Sequence, residues 1–213
     1  MTIEFKKVLP HPLKDVDHND NSIWGDTFKL ENGNKVMLNA SSGKGKTTFT
    51  NLIAGVRKDY DGEILLNNES IADFSKNEWA NLRRKELSFV FQDLQLFPKL
   101  SVAENLLLKN NLENDFSEAE IKTFLSDLGI ADKWEKPCGI LSMGQQQRVA
   151  IIRALIQPYT WLIMDEPFSH LDIENANLCI KIIEKRTKEL NAGFILTTLG
   201  ENHDINYDKT LHL

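Results

Sequence analysis

The stretch Ala40–Thr48, which reads ASSGKGKTT, constrains the fold of this chain more than any other feature. It follows a short apolar run, Val36–Leu38, and this order predicts a buried strand, a glycine-containing loop and then a helix. Gly43 and Gly45 allow successive backbone N–H groups to turn toward one point, and a helix that begins near Lys46 adds the positive end of its dipole. The stretch therefore predicts a phosphate-binding loop, with the Lys46 ammonium as a mobile cation.

One position departs from the phosphate-loop pattern GxxxxGK[ST], because Ala40 stands where the pattern has its first glycine. If that position requires a positive φ, alanine costs about 1–2 kcal/mol there. Thr47 supplies a hydroxyl that can complete a magnesium shell. The alternative for the loop by itself is a surface turn rich in small residues.

Size and charge limit the classes of partner. The chain of 213 residues is long enough for one large domain, and its net charge of −6 disfavours nucleic acid as the main partner. Cys138 and Cys179 fit no metal-ligand spacing, so both are predicted to be packing residues in a reducing compartment. No apolar run approaches the roughly 18–20 residues that cross a bilayer, so any membrane function is expected to involve another chain.

Short apolar runs alternate with longer amphipathic stretches, which favours an α/β sheet. Predicted strands are Ile3–Val8, Thr27–Leu30, Val36–Leu38, Gly62–Leu66, Leu87–Phe91, Thr160–Met164, Phe194–Thr197 and Thr210–Leu213. The stretch Phe97–Gly139 holds two helical patterns instead, and we expect an inserted helical lobe there. Within it, Ser117 and Glu120 form a capping box, and Gly129 suits a helix C-terminus. The polar stretch Asn105–Asn114 is predicted to be a solvated loop.

A second piece of chemistry follows the apolar stretch Thr160–Asp165, TWLIMD. Ligands collect at the carboxyl ends of strands in an α/β sheet, so Asp165 is predicted to reach a magnesium shell there. The next residue, Glu166, is predicted to face the water that attacks a γ-phosphate. The alternative for the pair alone is two exposed carboxylates at a strand end.

A third piece of chemistry lies in Leu141–Arg148, LSMGQQQR, which opens an amphipathic helix. Ser142 is a natural N-cap, with Gln145 three residues further on. The serine hydroxyl and the backbone N–H of Gly144 at a helix N-terminus predict a second anion site.

These motifs, in this order, resemble the nucleotide-binding subunits of ATP-binding cassette (ABC) transporters, and LSMGQQQR is similar to their LSGGQ signature. The resemblance implies an α/β fold with a P-loop NTPase core, a mainly parallel sheet, an antiparallel β edge region and an inserted α-helical subdomain. It implies one ABC ATPase domain over residues 1–213, with the nucleotide-binding core in 1–92 and 141–213 and the helical subdomain in 93–140. Segments such as FQDLQLFPKLSVAENL are most similar to the small ATPases of lipoprotein-release and macrolide-type exporters.

The resemblance implies ATP and Mg²⁺ as cofactors. The loop residues that would bind the nucleotide are Ser41, Ser42, Gly43, Lys44, Gly45, Lys46, Thr47 and Thr48. Among these, Lys46 would bind the β- and γ-phosphates and Thr48 would reach the α-phosphate. Thr47 and Asp165 would hold Mg²⁺, Gln92 would sense the metal and the water, and Glu166 would be the general base.

The resemblance also implies a head-to-tail homodimer or pseudo-dimer that closes on ATP. Ser142, Gly144 and Gln145 would contact the γ-phosphate bound to the opposite subunit, and Asp172 would pass information across the dimer. The region Gln92–Leu108 would contact a transmembrane permease subunit on a separate chain. The protein would then lie peripherally on the inner face of the cell membrane, in the cytoplasm.

Several positions depart from the family pattern. Thr198 stands where the family has a histidine that contacts the γ-phosphate, and His203 is predicted to be a surface residue instead. Met143 replaces a signature glycine, which is tolerable if its side chain points away from phosphate. Adenine affinity is in question: His11 is predicted to be an exposed loop residue, with stacking on adenine as the alternative, and Trp24 is predicted to pack in the framework.

The leading prediction is therefore an ATPase that powers a membrane transporter, slowed by the loss of a donor at Thr198. The alternative is a dimerising ATP-dependent module with little turnover that regulates a membrane complex.

Overall fold

A computed structural model of the chain describes residues 1–18, 21–200 and 203–213. Its strands are β1 Ile3–Pro10, β2 Thr27–Leu30, β3 Lys35–Asn39, β4 Tyr60–Leu66, β5 Glu69–Ser70, β6 Leu87–Val90, β7 Trp161–Asp165, β8 Gly193–Thr198 and β9 Lys209–His212. Its helices are α1 Lys46–Ile53, α2 Lys76–Lys85, α3 Val102–Asn110, α4 Glu118–Asp127, α5 Met143–Leu155 and α6 Ile173–Glu189. Short 3₁₀ helices cover His11–Leu13, Ile71–Asp73, Ala131–Lys133 and Cys138–Ile140.

The strands form a parallel sheet with the order β6-β7-β8-β3-β9 and an antiparallel sheet with the order β2-β1-β4-β5. This confirms the predicted α/β class with a mainly parallel sheet and an antiparallel β region. Because parallel strands end at the same edge of a sheet, the segments that follow β3, β6, β7 and β8 meet there. Those segments begin with the phosphate loop, the Gln92 loop, Glu166 and Leu199.

Two apolar cores hold the sheets and helices together, and β7 serves both. Trp161 and Ile163 point into the core that contains the antiparallel sheet and α1, whereas Leu162 and Met164 point into the core that contains α3 to α6. All five residues of β7 are buried, which explains why the strand reads as a continuous apolar run. In the first core the Phe5 ring stacks on Phe28 and on Phe49 of α1, with centroids 4.9 and 5.2 Å apart.

The predicted strands are all present, with ends shifted by one or two residues. The Ser117–Glu120 capping box is confirmed, since each residue's backbone N–H donates to the other's side-chain oxygen, and Gly129 follows α4 with a φ of +66°. The short strand β5 and the helix α2 were not predicted.

Residues 93–140 contain α3, α4 and two 3₁₀ helices. The helices of the described residues lack the combination of length and apolar character that a membrane-spanning segment needs.

The prediction of a solvated loop at Asn105–Asn114 is wrong for its first half, because Asn105–Asn110 belongs to α3. Asn105 is 1% exposed. Its carbonyl oxygen accepts from the Phe97 N–H at 2.8 Å, and its amide donates to the Phe97 carbonyl at 3.0 Å. Asn110 makes the same pair of bonds to the backbone of Phe116. These two buried asparagines therefore connect α3 to its flanking loops by hydrogen bonds.

Candidate functional site

The loop between β3 and α1 has the backbone conformation that its glycines allow. Gly43 and Gly45 have φ angles of +80° and +105°, in the region that L side chains rarely adopt. A Cβ atom on Gly45 would lie 2.6 Å from the Leu13 side chain. Ala40 does not have a positive φ, and its N–H donates to the Thr198 carbonyl at 3.3 Å. The strain considered for Ala40 is therefore absent, and alanine fits this position.

The Lys46 side chain brings the loop and the end of β7 together. It is 6% exposed, and its ammonium donates to the carbonyls of Ala40 and Ser41 at 2.9 and 3.2 Å. The same nitrogen lies 3.3 Å from Glu166 Oε1, in an ion pair whose carboxylate side chain is 16% exposed. The predicted phosphate-binding cation and the predicted general base are thus direct neighbours.

Thr47 and Gln92 also meet at this edge. The Thr47 hydroxyl donates to Gln92 Oε1 at 3.1 Å, which links the first turn of α1 to the loop after β6. Both side chains line an open cleft of about 830 Å³ together with Asn51, Phe91 and Asp93. Two oxygen-bearing side chains from separate elements therefore face the same solvent-accessible space.

Asp165 ends β7 with its carboxylate buried, at 1% exposure. Its Oδ1 accepts from the hydroxyl of Thr197 on β8 at 2.6 Å. Its Oδ2 is buried and has no hydrogen-bond partner among the described residues. A buried carboxylate oxygen without a hydrogen-bond partner is unusual, and a bound cation would supply the missing contact.

Glu166 has a φ of +50°, which is uncommon for a residue with a side chain. Three hydrogen bonds hold its backbone: the N–H donates to Thr197 Oγ1 at 3.1 Å, and the carbonyl accepts from the Gln147 amide at 3.2 Å and from the Ser169 N–H at 3.3 Å. Gln147, on α5, is 2% exposed and also bonds Ser169 and the N–H of His170. Neither Thr197 nor Gln147 was predicted to act at the site.

The signature residues form a second group at the start of α5. Ser142 caps the helix: its hydroxyl accepts from the Gln145 N–H at 3.3 Å, and Gln145 Oε1 accepts from the Ser142 N–H at 3.1 Å. A Cβ atom on Gly144 would lie 2.7 Å from the His170 carbonyl oxygen, so packing alone requires glycine there. Met143 is 47% exposed, which fits a side chain directed away from the helix end.

Asp172 caps α6 by accepting from the Asn175 N–H at 2.8 Å, and the hydrogen bonds from Asn175 hold the pKa of the Asp172 carboxyl below its ordinary value. Among the described residues, no hydrogen bond or ion pair joins Ser142, Gly144 or Gln145 to the phosphate loop. The chain therefore presents two groups, one around Lys46 and one around Ser142.

The comparisons with known proteins agree with this geometry. The family model described as ABC transporter matches residues 24–169. The lipoprotein-releasing system ATP-binding protein LolD of Buchnera aphidicola is 33% identical over 89% of this chain and 85% of its own length. The chain belongs to the ABC transporter family.

Two further relatives of this ABC cassette bear on its site. The macrolide export ATP-binding/permease protein MacB of Bdellovibrio bacteriovorus is 33% identical over 76% of this chain and 25% of its own length. The dimeric structure of a post-hydrolysis state of the ATP-binding cassette MJ0796, bound to ADP and Pi, is 26% identical. It has a TM-score of 0.79 and covers 99% of this chain and 94% of its own. The predicted similarity to lipoprotein-release and macrolide-export ATPases is confirmed.

The residues predicted to depart from the family pattern have structural partners in this cassette. Thr198 is 5% exposed, and its hydroxyl accepts from the Gly200 N–H at 3.3 Å. His203, predicted to be a surface residue, is partly buried, and its ring meets that of Phe168 edge-on at 4.8 Å. The slow turnover predicted from Thr198 stays a prediction.

Trp24 packs in the framework, as predicted. It is 6% exposed, and its indole N–H donates to the Lys44 carbonyl of the phosphate loop at 3.1 Å. His11 is exposed, as predicted, and lies 3.1 Å from Asp61 Oδ1.

Both cysteines are buried, and burial raises the pKa of Cys138 to about 11 and that of Cys179 to about 12. The thiols therefore stay protonated and pack as apolar groups, which confirms that both are packing residues.

Proposed function

We propose that this chain is the ATP-binding and ATP-hydrolysing subunit of a membrane transporter, and that ATP drives the closure of a head-to-tail dimer. The observation that carries this proposal is the approach of the Lys46 ammonium to the Glu166 carboxylate, 3.3 Å apart, at the edge where the parallel strands end. A cation that binds the γ-phosphate and a group that orients the attacking water must flank the same phosphate. Membership of the ABC transporter family supports the ATPase reading.

The residues at this edge fit a Mg²⁺ ion. Asp165 offers a buried carboxylate oxygen that receives no hydrogen bond within the described residues, and Thr47 and Gln92 offer hydroxyl and amide oxygens. These are the hard ligands that Mg²⁺ prefers, and the described residues contain no cluster of three or more His, Cys, Asp or Glu that would hold a metal without substrate oxygens. We assign Thr47, Gln92 and Asp165 to the ion. When bound, Mg²⁺ neutralises charge on the phosphate oxygens.

The ion pair of Lys46 suggests how the base is released. A γ-phosphate carries more negative charge than one carboxylate and competes with Glu166 for the Lys46 ammonium. Glu166 is then free to orient the attacking water and to accept its proton. The backbone N–H groups of residues 41–45, and the Thr48 side chain, bind the remaining phosphate oxygens.

Exposed apolar side chains support the dimer. Ile140 and Met143 flank Ser142, Ile173 follows Asp172, and Leu199 follows Thr198, with exposures of 69, 47, 82 and 59% respectively. A second copy that placed its Ser142, Gly144 and Gln145 against the bound γ-phosphate would cover this surface. The relative bound to ADP and Pi is itself dimeric.

A separate groove suits a permease subunit on another chain. It has a volume of about 580 Å³ and is lined by Phe89, Phe91, Phe97, Leu108 and Lys109, among others. Phe97 and Leu108 are 54 and 51% exposed. We propose that residues 93–140 act as a helical subdomain between the core segments 1–92 and 141–213, and that a permease segment seats in this groove. The protein would then lie peripherally on the inner face of the membrane.

A second candidate function is a low-turnover module that regulates a membrane complex. Thr198 favours it, because a threonine stands where the family resemblance predicts a histidine that contacts the γ-phosphate. Steady-state and single-turnover ATPase rates, measured with and without the permease, separate the two functions. If each site hydrolyses no more than about one ATP, both with and without the permease, the regulatory module is supported.

Glu166→Gln tests the transporter ATPase directly, with Glu69→Gln on exposed β5 as the matched control. The amide cannot accept a proton, so we expect hydrolysis to fall about 10²- to 10⁴-fold while ATP still binds. The control should match the wild type. If Glu166→Gln hydrolyses ATP at the wild-type rate, Glu166 is not the base and the proposed mechanism is wrong.

A further inference from the structure

Thr197 connects the two carboxylate residues of the site through a single hydroxyl. It lies on β8 in register with Asp165 of the neighbouring strand β7, and its side chain is fully buried. Its Oγ1 is 2.6 Å from Asp165 Oδ1 and 3.1 Å from the Glu166 backbone nitrogen. Parallel pairing of the strand ends, not proximity in sequence, creates this contact.

The direction of the two hydrogen bonds is fixed by their chemistry. A backbone N–H only donates, so Glu166 N–H occupies a lone pair of Thr197 Oγ1. The hydroxyl has one hydrogen, and Oδ1 of the Asp165 carboxylate accepts it. The proton of Thr197 therefore points at Asp165, and the chain of bonds runs from Glu166 through Thr197 to Asp165. Linked hydrogen bonds of this kind polarise and strengthen one another in a buried site.

This chain of bonds has one consequence for each carboxylate residue. For Asp165, it occupies Oδ1 and leaves the buried Oδ2, which has no partner among the described residues, as the oxygen available to a ligand. For Glu166, it holds the N–H of a residue whose φ of +50° is unfavourable for a side-chain-bearing residue. The adjacent Thr198 hydroxyl accepts from the Gly200 N–H at 3.3 Å.

We propose that Thr197 is a positioning residue for ATP hydrolysis: its hydroxyl orients Asp165 toward Mg²⁺ and fixes the backbone that carries Glu166. The inference rests on the proposed ATPase function and adds a residue to it. Valine has the shape of threonine without the hydroxyl, so Thr197→Val leaves one Asp165 oxygen and the Glu166 N–H without their partner. Thr197→Ser keeps the hydroxyl.

The test measures metal binding apart from turnover. The affinity for Mn²⁺ is determined by electron paramagnetic resonance with an excess of a non-hydrolysable ATP analogue, and the affinity for a fluorescent ATP derivative is determined in EDTA. We expect Thr197→Val to weaken Mn²⁺ binding about 10- to 100-fold, the range for outer-shell partners of metal ligands, with nucleotide affinity in EDTA unchanged. Thr197→Ser should stay within about 3-fold of the wild type.

Thr187→Val on α6 is the matched control, because Thr187 is 3% exposed and its hydroxyl donates to the Ile183 carbonyl away from the site. It should bind Mn²⁺ as the wild type does. If Thr197→Val does not fold, Thr197→Cys replaces it in the comparison with Thr197→Ser, because the two side chains have similar shape and the thiol is a much weaker donor. The cysteine variant should then bind Mn²⁺ more weakly than the serine variant.

Unchanged Mn²⁺ affinity in Thr197→Val, or in the cysteine variant that replaces it, would overturn the positioning role. Equal losses of nucleotide affinity with and without metal would also overturn it, because they indicate general disruption. A wild-type protein that neither binds nucleotide with metal nor hydrolyses ATP would refute the proposed function itself, and this result is visible before any variant is made.

Discussion

Replacement of Lys109 by methionine is expected to stabilise the isolated protein and to weaken its binding to the proposed permease. The ammonium of Lys109 lies in the groove and donates to the Arg83 carbonyl at 3.3 Å. Burial, and to a smaller extent the nearby charge of Arg153, lower the pKa of Lys109 from 10.5 to about 8. Among the described residues, no carboxylate forms an ion pair with Lys109, Arg83 or Arg153. An acidic side chain of a partner would therefore complement this groove.

The size of the effect follows from the pKa of Lys109. A fall from 10.5 to about 8 means that the folded protein disfavours the charged amine by about 3 kcal/mol relative to water. Methionine removes that cost and keeps most of the aliphatic packing, but it gives up the bond to the Arg83 carbonyl, worth about 1 kcal/mol. The free energy of unfolding at pH 7 should therefore rise by about 1–2 kcal/mol.

The pH dependence provides the sharper test. Below pH 8 Lys109 is charged in both the folded and the unfolded protein, so the whole cost is present. Between about pH 8 and 10.5 the folded protein loses this proton while the unfolded chain keeps it, and the cost disappears. The advantage of Lys109→Met over the wild type should thus be full at pH 7 and lost by pH 10.5. Urea unfolding at both pH values measures it, with the exposed Lys58→Met as control. An advantage that is absent at pH 7, or equal at both pH values, would refute this reasoning.

Two further predictions concern turnover and stability. Thr198→His should raise the rate of ATP hydrolysis, up to about 10²- to 10³-fold if the imidazole donates to the γ-phosphate, and equal rates in a steady-state assay would show that Thr198 does not limit turnover. Asn105→Leu should lower the free energy of unfolding by about 2–3 kcal/mol. The reason is that the backbone N–H of Phe97, in the loop before α3, loses the side-chain oxygen to which it donates. Urea denaturation checks this against the exposed Asn111→Leu, and similar stability of the two variants would contradict it.

The elements that could be predicted are those whose signals are local. The apolar run of β7 and the glycines before Lys46 specify their own backbone, so the strand and the loop follow from short stretches of sequence. The helix α2 has a signal of the same kind, since Ser75 and Glu78 form a capping box at its start, but it was not predicted.

The features that could not be predicted depend on contacts between distant elements. Thr197 contacts Asp165 because β7 and β8 pair in register, and Gln147 contacts Glu166 because the fold brings α5 to the residue that follows β7. Asn105 looks like a loop residue in sequence because polarity alone does not reveal that backbone groups of the preceding loop will saturate its amide. The cations of the groove come from three separate helices, so their proximity is a property of the packing.

The central claim is that each ATP is bound between Lys46 of one copy and Ser142 of the other. Mixing two inactive variants, Lys46→Met and Ser142→Arg, tests it most directly. In a head-to-tail dimer of the two, one site carries both defects and the other carries none, so the mixture should recover about a quarter of wild-type ATPase sites. If the mixture stays as inactive as either variant alone, although mixed dimers form, the two copies do not share ATP in this way.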